Sequence, residues 1–282
     1  MPIDLEKILG AELPATEASW DEDRVILYHL GIGAGNPPTD ENELSYTYEA
    51  RLKVLPTFAT IPPFASLINI AAVDGLDVNF ARLLHGEQDL ILSGPIPTSA
   101  RVENTARISA VYDKGKGVLV VVEITTTDFS GKELFTNRSS LFIRGEGGFG
   151  GESGPAPGNE PPARRPDEVH QFRTLPQQAL LYRLSGDKNP LHVDPAFAAM
   201  GGFDRPILHG LCSYGIVCKA VCDRVFDGDV TAIKRYQARF SGVVLPGETI
   251  VTNIWDEENR LIISAATKER GTPVITNAAI WR

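Results

Sequence analysis

The chain is poor in cysteine: three in 282 residues, at positions 212, 218 and 222, all inside one apolar segment. An odd count gives no disulfide framework, and the spacing matches no zinc pattern. Buried thiols in a reducing compartment are the expected reading. Positive charge is also scarce, with 27 basic against 36 acidic residues and a net charge of −9. Phosphate-backbone binding needs a basic footprint, so a general nucleic-acid partner is excluded, although a local basic patch for one anionic ligand is not. Long hydrophobic runs are lacking too. The most apolar stretch, "GVLVVVEI" at 117–124, is far too short to span a bilayer, so no membrane partner is expected. The N-terminal "MPIDLEKILGAEL" has neither the basic nor the apolar region of a signal peptide, and the final "AIWR" is not a peroxisomal address. A cytoplasmic location follows as an expectation. What the chain does have is ordinary globular content, 43% hydrophobic and 22% charged, enough for a sizeable core.

Glycine and proline are concentrated in one place. Residues 145–166, "GEGGFGGESGPAPGNEPPARRP", have no hydrophobic period and read as a linker between residues 1–144 and 167–282. The two sides resemble each other. "VILYHLGIGAGNP" from Val25 is matched by "ALLYRLSGDKNP" from Ala179, and "LLHGEQ" at 83–88 by "ILHGLC" at 207–212. Each side then continues in alternating runs joined by tight turns, which read as antiparallel strands. Two long copies of this kind are two copies of one domain rather than a solenoid. In the second copy, residues 210–226 carry apolar groups at helical spacing around nearly the whole circumference, which predicts a buried helix. The strands must wrap it with one face, giving an α+β architecture with a sheet curled around a central helix. In the first copy the corresponding element is "GEQDLIL", a weak helix.

The densest polar segment is "SGDKNPLHVDP" at 185–195. Asn189-Pro190 favours a bend, and Asp194-Pro195 is a good helix start. Neither feature accounts for a carboxylate at Asp187 five residues before an imidazole at His192. Brought together by the bend, these two could share one water and handle protons on a neutral substrate. On residue chemistry alone, both a cap-and-turn reading and a catalytic one stand. "GIGAG" at 31–35 invites a dinucleotide reading, but Asn-Pro-Pro follows it, where a helix would have to begin. It is better read as the first copy's version of the 185–190 loop, with the acid and the imidazole absent.

The run from Tyr182 to Phe203, with Ser185, Gly186, Asp187, Asn189, Pro190, His192, Asp194 and Pro195, resembles the signature of the MaoC-like, R-specific 2-enoyl-CoA hydratases, or hydratase 2. The resemblance is tight over the second half and loose over the whole chain, whose two copies are similar to the double hot-dog members of that family. It implies two antiparallel sheets, each wrapped around a central helix, and reversible hydration of trans-2-enoyl-CoA to (3R)-3-hydroxyacyl-CoA. It implies that Asp187 and His192 activate the water, that Asn189 fixes their geometry, and that the Gly210 N–H meets the thioester oxygen. It implies an inactive first half that leaves room for the acyl chain, and no cofactor beyond the coenzyme A of the substrate. A helix start suits the Gly210 role on independent grounds, since it offers free N–H groups at the positive end of a dipole.

Some residues are less determined. His209 is a packed histidine or lines the acyl or thioester site. Lys234, Arg235 and Arg239 could meet coenzyme A phosphates, or could simply solvate a strand. A metal held by His192, Asp194 and His209 is conceivable on residue type, but hydration beside a thioester carbonyl needs none, and no metal is expected. A homodimer is compatible with the layout. Three other activities suit the same fold: dehydration of acyl-carrier-protein thioesters, thioester hydrolysis, and non-catalytic acyl-CoA binding. The Asp-x-Asn-Pro-x-His spacing favours hydration over hydrolysis.

Overall fold

The computed structural model describes residues 3–79 and 82–282. The first half contains α1 (Leu5–Ile8), β1 (Glu12–Trp20), α2 (Glu22–Gly31), α3 (Glu41–Thr47), α4 (Phe64–Ile68), β2 (Leu83–Leu92), β3 (Ala100–Asp113), β4 (Gly117–Asp128) and β5 (Glu133–Arg144). The second half contains β6 (Glu168–Arg173), α5 (Gln178–Tyr182), α6 (Pro195–Met200), α7 (Gly210–Val225), β7 (Arg235–Phe240), β8 (Thr249–Glu257), β9 (Arg260–Thr267) and β10 (Pro273–Trp281). Val118, Val120, Val122 and Ile124 of β4 show how the strands arise: alternate β-branched residues turn to one buried face.

The strands form one antiparallel sheet in the order β1-β3-β4-β5-β2-β7-β10-β9-β8-β6. Read from the middle outward, the two halves have the same order, so the internal repeat is a pseudo-two-fold. The halves join where β2 pairs with β7, from Glu87↔Arg239 to Ile91↔Arg235. This is the α+β double hot-dog layout, with two corrections to expectation. The two sheets are fused into one of ten strands, and among the described residues only the second half has a long central helix.

That helix, α7, is buried over most of its length. Ile216, Val217 and Val221 are 0–2% exposed, and each such side chain contributes roughly 1.5–3 kcal/mol on burial. It packs close to the first half: a Cβ added at Gly215 would lie 2.7 Å from both Ile32 Cγ2 and Tyr28 Oη. One polar tie crosses with it. Lys219 Nζ donates to Glu43 Oε1 (2.6 Å) on α3 and to Asp223 Oδ2 (2.7 Å), while Asp223 Oδ1 accepts from Tyr46 and Asn42. Burial disfavours the Lys219 charge, but Asp223 and Glu43 outweigh that and raise its pKa.

"GEQDLIL" is not a helix. It lies within β2, so the Leu-His-Gly at 84–86 corresponds to no helix start. The first half's counterpart of α7 lies earlier, as short pieces: a 3-10 turn at Pro56–Thr60, then α4, then a second 3-10 turn at Asn69–Ala72. Pro62 and Pro63 prevent one continuous helix here. Broken helices leave carbonyls without partners, and the sheet supplies donors. Asn137 Nδ2 reaches the Ala59 carbonyl (3.0 Å) and Asn104 Nδ2 the Pro62 carbonyl (3.3 Å).

No helix or strand occurs between Arg144 and Glu168. The segment is nonetheless held at several points. The Asp113 carboxylate accepts from the N–H groups of Gly148 and Gly150, Asn277 Nδ2 donates to the Gly158 carbonyl, and Trp255 Nε1 donates to that of Arg164.

Candidate active site

The second-half loop is built from turns. After a 3-10 turn at Arg183–Ser185, Gly186 takes φ +146°, a conformation that a side chain would strain. Asp187 Oδ1 then accepts from Asn189 N (3.0 Å), and Asn189 Oδ1 from Leu191 N (3.0 Å). A 3-10 turn at Pro190–His192 delivers the imidazole, and Asp194 caps α6 through Ala196 N and Phe197 N. Asn189 therefore shapes the loop that carries the pair, and it also lines the cavity described below.

The loop brings Asp187 and His192 face to face. Asp187 Oδ2 and His192 Nε2 are 3.9 Å apart, with side chains 21% and 9% exposed. That gap is too long for a direct hydrogen bond and short enough for one water to bridge. His192 Nδ1 donates to the Ile207 carbonyl at 2.9 Å, which leaves the Nε2 lone pair facing Asp187. Burial lowers the His192 pKa, against the opposing pull of the Ile207 carbonyl and Asp187, so the ring is neutral near pH 7.

Both residues line a cavity of about 1150 Å³ that draws on the two halves of the chain. Phe64, Leu67 and Phe142 come from the first half; Gly210, Leu211 and Phe240 come from the second. Gly210 opens α7. The helix has no side-chain cap at His209, and the first N–H groups of a helix have no intrahelical acceptor. Cys212 N and Ser213 N bond back to the His209 carbonyl, which leaves Gly210 and Leu211 as the donors at the cavity wall.

His209 itself does not line the cavity. It is 1% exposed and lies beneath the pair, donating from Nε2 to the Asp187 carbonyl at 3.2 Å and stacking on His192 with ring centroids 3.7 Å apart. Burial, and then His192, push its pKa down to about 2. Of the three basic residues considered for the phosphates, only Arg239 lines the cavity, and it pairs with Glu87 at 3.1 Å. Lys234 is turned away onto the Thr231 carbonyl. Arg235 is engaged by Asp89 (2.7 and 2.8 Å) and lies over the Trp281 ring. Cavity-lining cations that the sequence reading missed are Lys114, Arg144 and Lys188. Arg144 ends β5 and Lys114 just follows β3, in the half without the motif, and Lys188 lies inside the motif, where its neighbours Asp187 and Asn189 drew the reading. For a metal, the donor set differs from the one considered. Asp187, His192 and His209 have ligand-type atoms within 4.8 Å of one another, whereas Asp194 is occupied as a helix cap.

The first-half loop is tied to its own surroundings. The "GIGAG" N–H groups are used locally: Gly33 N bonds to Leu30 O, Ala34 N to His29 O, and Gly35 N to Glu43 Oε2. No open phosphate cradle forms there.

Both halves of the chain are similar to known proteins. Residues 19–145 match the MFE-2 hydratase 2 N-terminal domain, and residues 153–278 match the MaoC like domain. The chain is 45% identical to enoyl-CoA hydratase ChsH3 of Mycobacterium tuberculosis, over 98% of this chain and 97% of that protein. The chain belongs to the MaoC-like hydratase 2 family. It is 40% identical to the peroxisomal enoyl-CoA hydratase 2 of Arabidopsis thaliana, over 95% of this chain and 92% of that one. Among solved structures, a MaoC-like dehydratase from Phytophthora capsici superposes with a TM-score of 0.88 at 33% identity, covering 99% of this chain and 98% of the other. Among the described residues, no helix is long and apolar enough to cross a membrane.

Proposed function

We propose that the protein is a hydro-lyase that reversibly hydrates trans-2-enoyl-CoA to (3R)-3-hydroxyacyl-CoA. The observation that carries this reading is the one-water gap between Asp187 Oδ2 and His192 Nε2, in a cavity wall next to the uncapped start of α7. The thioester oxygen sits against the Gly210 N–H. A water between the pair donates one hydrogen to the Asp187 carboxylate and the other to His192 Nε2. His192 takes that proton as the water oxygen bonds to C3. The electrons of the C2–C3 π bond move toward the thioester, and the oxygen gains charge where the helix dipole and N–H groups stabilise it. The His192 imidazolium, held by Asp187, then returns its proton to C2 on the same face, which restores both groups.

In this reading residues 167–282 carry the chemistry, residues 1–144 accommodate the acyl chain, and residues 145–166 join them. The broken helix at 56–72 supports that division. Phe64, Leu67 and Ile68 stand there at the cavity wall, where a continuous helix would fill the space. Arg239, Lys114, Arg144 and Lys188 are the candidates for the coenzyme A phosphates. Three buried, unpaired cysteines on α7 suit the reducing cytoplasm.

The test is to incubate the protein with crotonyl-CoA and longer enoyl-CoAs. Loss of the conjugated thioester absorbance, no release of free thiol, and a (3R) product are expected. Thiol release would mean a thioesterase, turnover restricted to carrier-protein thioesters would mean a dehydratase of that class, and a (3S) product would contradict the stereochemistry.

A further inference from the structure

His209 is the buried residue that the mechanism above leaves unused, and it touches both members of the pair. Its position is unusual for a helix N-cap. The backbone has the extended geometry of a cap (φ −59°, ψ 135°), but the side chain makes no capping hydrogen bond. Asp21, Asp40 and Asp194 cap α2, α3 and α6 with their carboxylates. The His209 ring instead turns back under the 185–192 loop. There Nε2–H reaches the Asp187 carbonyl, and the ring face supports the His192 imidazole at 3.7 Å with 28° between planes. The Tyr182 ring also packs against it, tilted, with centroids 4.9 Å apart. One residue thus holds the backbone of the acid, carries the ring of the base, and leaves the N–H groups of Gly210 and Leu211 uncapped.

The geometry points to His209 as a positioning residue: resting on the hydration reading, it keeps Asp187 and His192 at one-water spacing and in register with the α7 N-terminus. The arrangement requires a neutral ring. A second positive charge directly beneath His192 would oppose imidazolium formation, and a proton on Nδ1, which is buried without a partner, would be unsatisfied. The groups against the ring are the His192 imidazole, the Asp187 loop and the Tyr182 ring, and the Arg183 charge acts on it through space. Only the Asp187 carbonyl favours protonation, and burial, His192 and Arg183 oppose it.

Two variants separate the two contacts. His209→Phe keeps the stacked ring and removes the donor; His209→Gln keeps an N–H near the Nε2 position and removes the stack. Because His209 lines no cavity, kcat should fall by about 10²-fold in His209→Phe while KM stays within ~2-fold, the signature of a misplaced reacting group. His209→Gln should recover part of that loss. Imidazole ¹⁵N spectra of the wild-type protein should show His209 as a neutral Nε2–H tautomer throughout pH 5–8, and His192 as Nδ1–H at the upper end. Wild-type kcat in folded His209→Phe and His209→Gln would overturn the assignment, as would a melting-temperature loss with kcat per folded molecule unchanged. If His209→Phe does not fold, the spectra decide: a His209 titrating near pH 6.5 overturns it. Asp187→Asn and His192→Ala assayed in parallel keep the two readings distinct. If those two retain activity, the hydration mechanism itself fails; if they are inactive while both His209 variants are not, only the positioning role fails.

Discussion

Replacing Gly210 by proline would remove one N–H donor from the cavity wall, put the ring Cδ in its place, and disturb the backbone little. Gly210 is the first residue of α7, where proline is well tolerated because its missing N–H has no intrahelical acceptor to lose. The preceding residue, His209, already has ψ 135°, the extended geometry that a following proline imposes. A Cβ at 210 would meet Phe240 ring carbons at 3.4–3.6 Å, ordinary van der Waals contact. Folding stability should therefore change by less than about 1 kcal/mol. If the Gly210 N–H stabilises the developing oxyanion, its removal should cost roughly 10²–10³ in kcat, or ~3–4 kcal/mol of transition-state stabilisation. The neighbouring Leu211 N–H places the expectation at the lower end. Gly210→Ala, which keeps the N–H, is the control for added bulk. The assay is initial hydration rate with crotonyl-CoA, together with a melting curve for each variant. Wild-type kcat in a folded Gly210→Pro protein would refute the oxyanion assignment, as would equal losses in the proline and alanine variants.

Three further outcomes test the fold around the site. His29 is fully buried, donates from Nδ1 to the Tyr46 carbonyl and accepts at Nε2 from Leu55 N, and burial pushes its pKa down to about 4. Because the folded value lies below the unfolded one, stability is lost as pH falls through about 6.5 toward 4, by about 2 kcal/mol between pH 7 and 5 for this residue. The wild-type minus His29→Gln difference in urea stability should shrink by that amount over this range, and a constant difference would contradict it. Lys219→Met should destabilise by about 3–5 kcal/mol in the same measurement, because Glu43 and Asp223 are left buried without their cation; a change under about 1 kcal/mol would show that the tie contributes little. Gly215→Val should cost about 2–3 kcal/mol, from the clash with Tyr28 and Ile32, and an unchanged melting temperature would mean that the two halves pack less closely there.

The second half was legible because its signals are local. Asp187, Asn189, Pro190 and His192 lie within six residues, and the loop's own hydrogen bonds join them. The apolar circumference of 210–226 likewise reports a buried helix directly. β2 was misread because both of its faces carry polar groups for non-local reasons. Gln88 points into the first half's interior, bonded to Asn137 and Ser139, and Asp89 pairs with Arg235 across the junction between halves. A register shift between His85 and Glu87 then breaks the period of two. Pro62-Pro63 was the visible sign that the first half's helix lay earlier and was broken. The fusion of the sheets through β2 and β7, and the burial of His209 beneath the pair, depend on contacts between distant segments, which neither spacing nor composition reveals.

The central claim is that Asp187 and His192 share and activate the attacking water. Its most direct test is the hydration kcat of Asp187→Asn, which is nearly isosteric and cannot supply a carboxylate. A fall of about 10²–10⁴-fold with the fold intact and KM little changed is predicted, and a kcat equal to that of the wild-type protein would contradict the account.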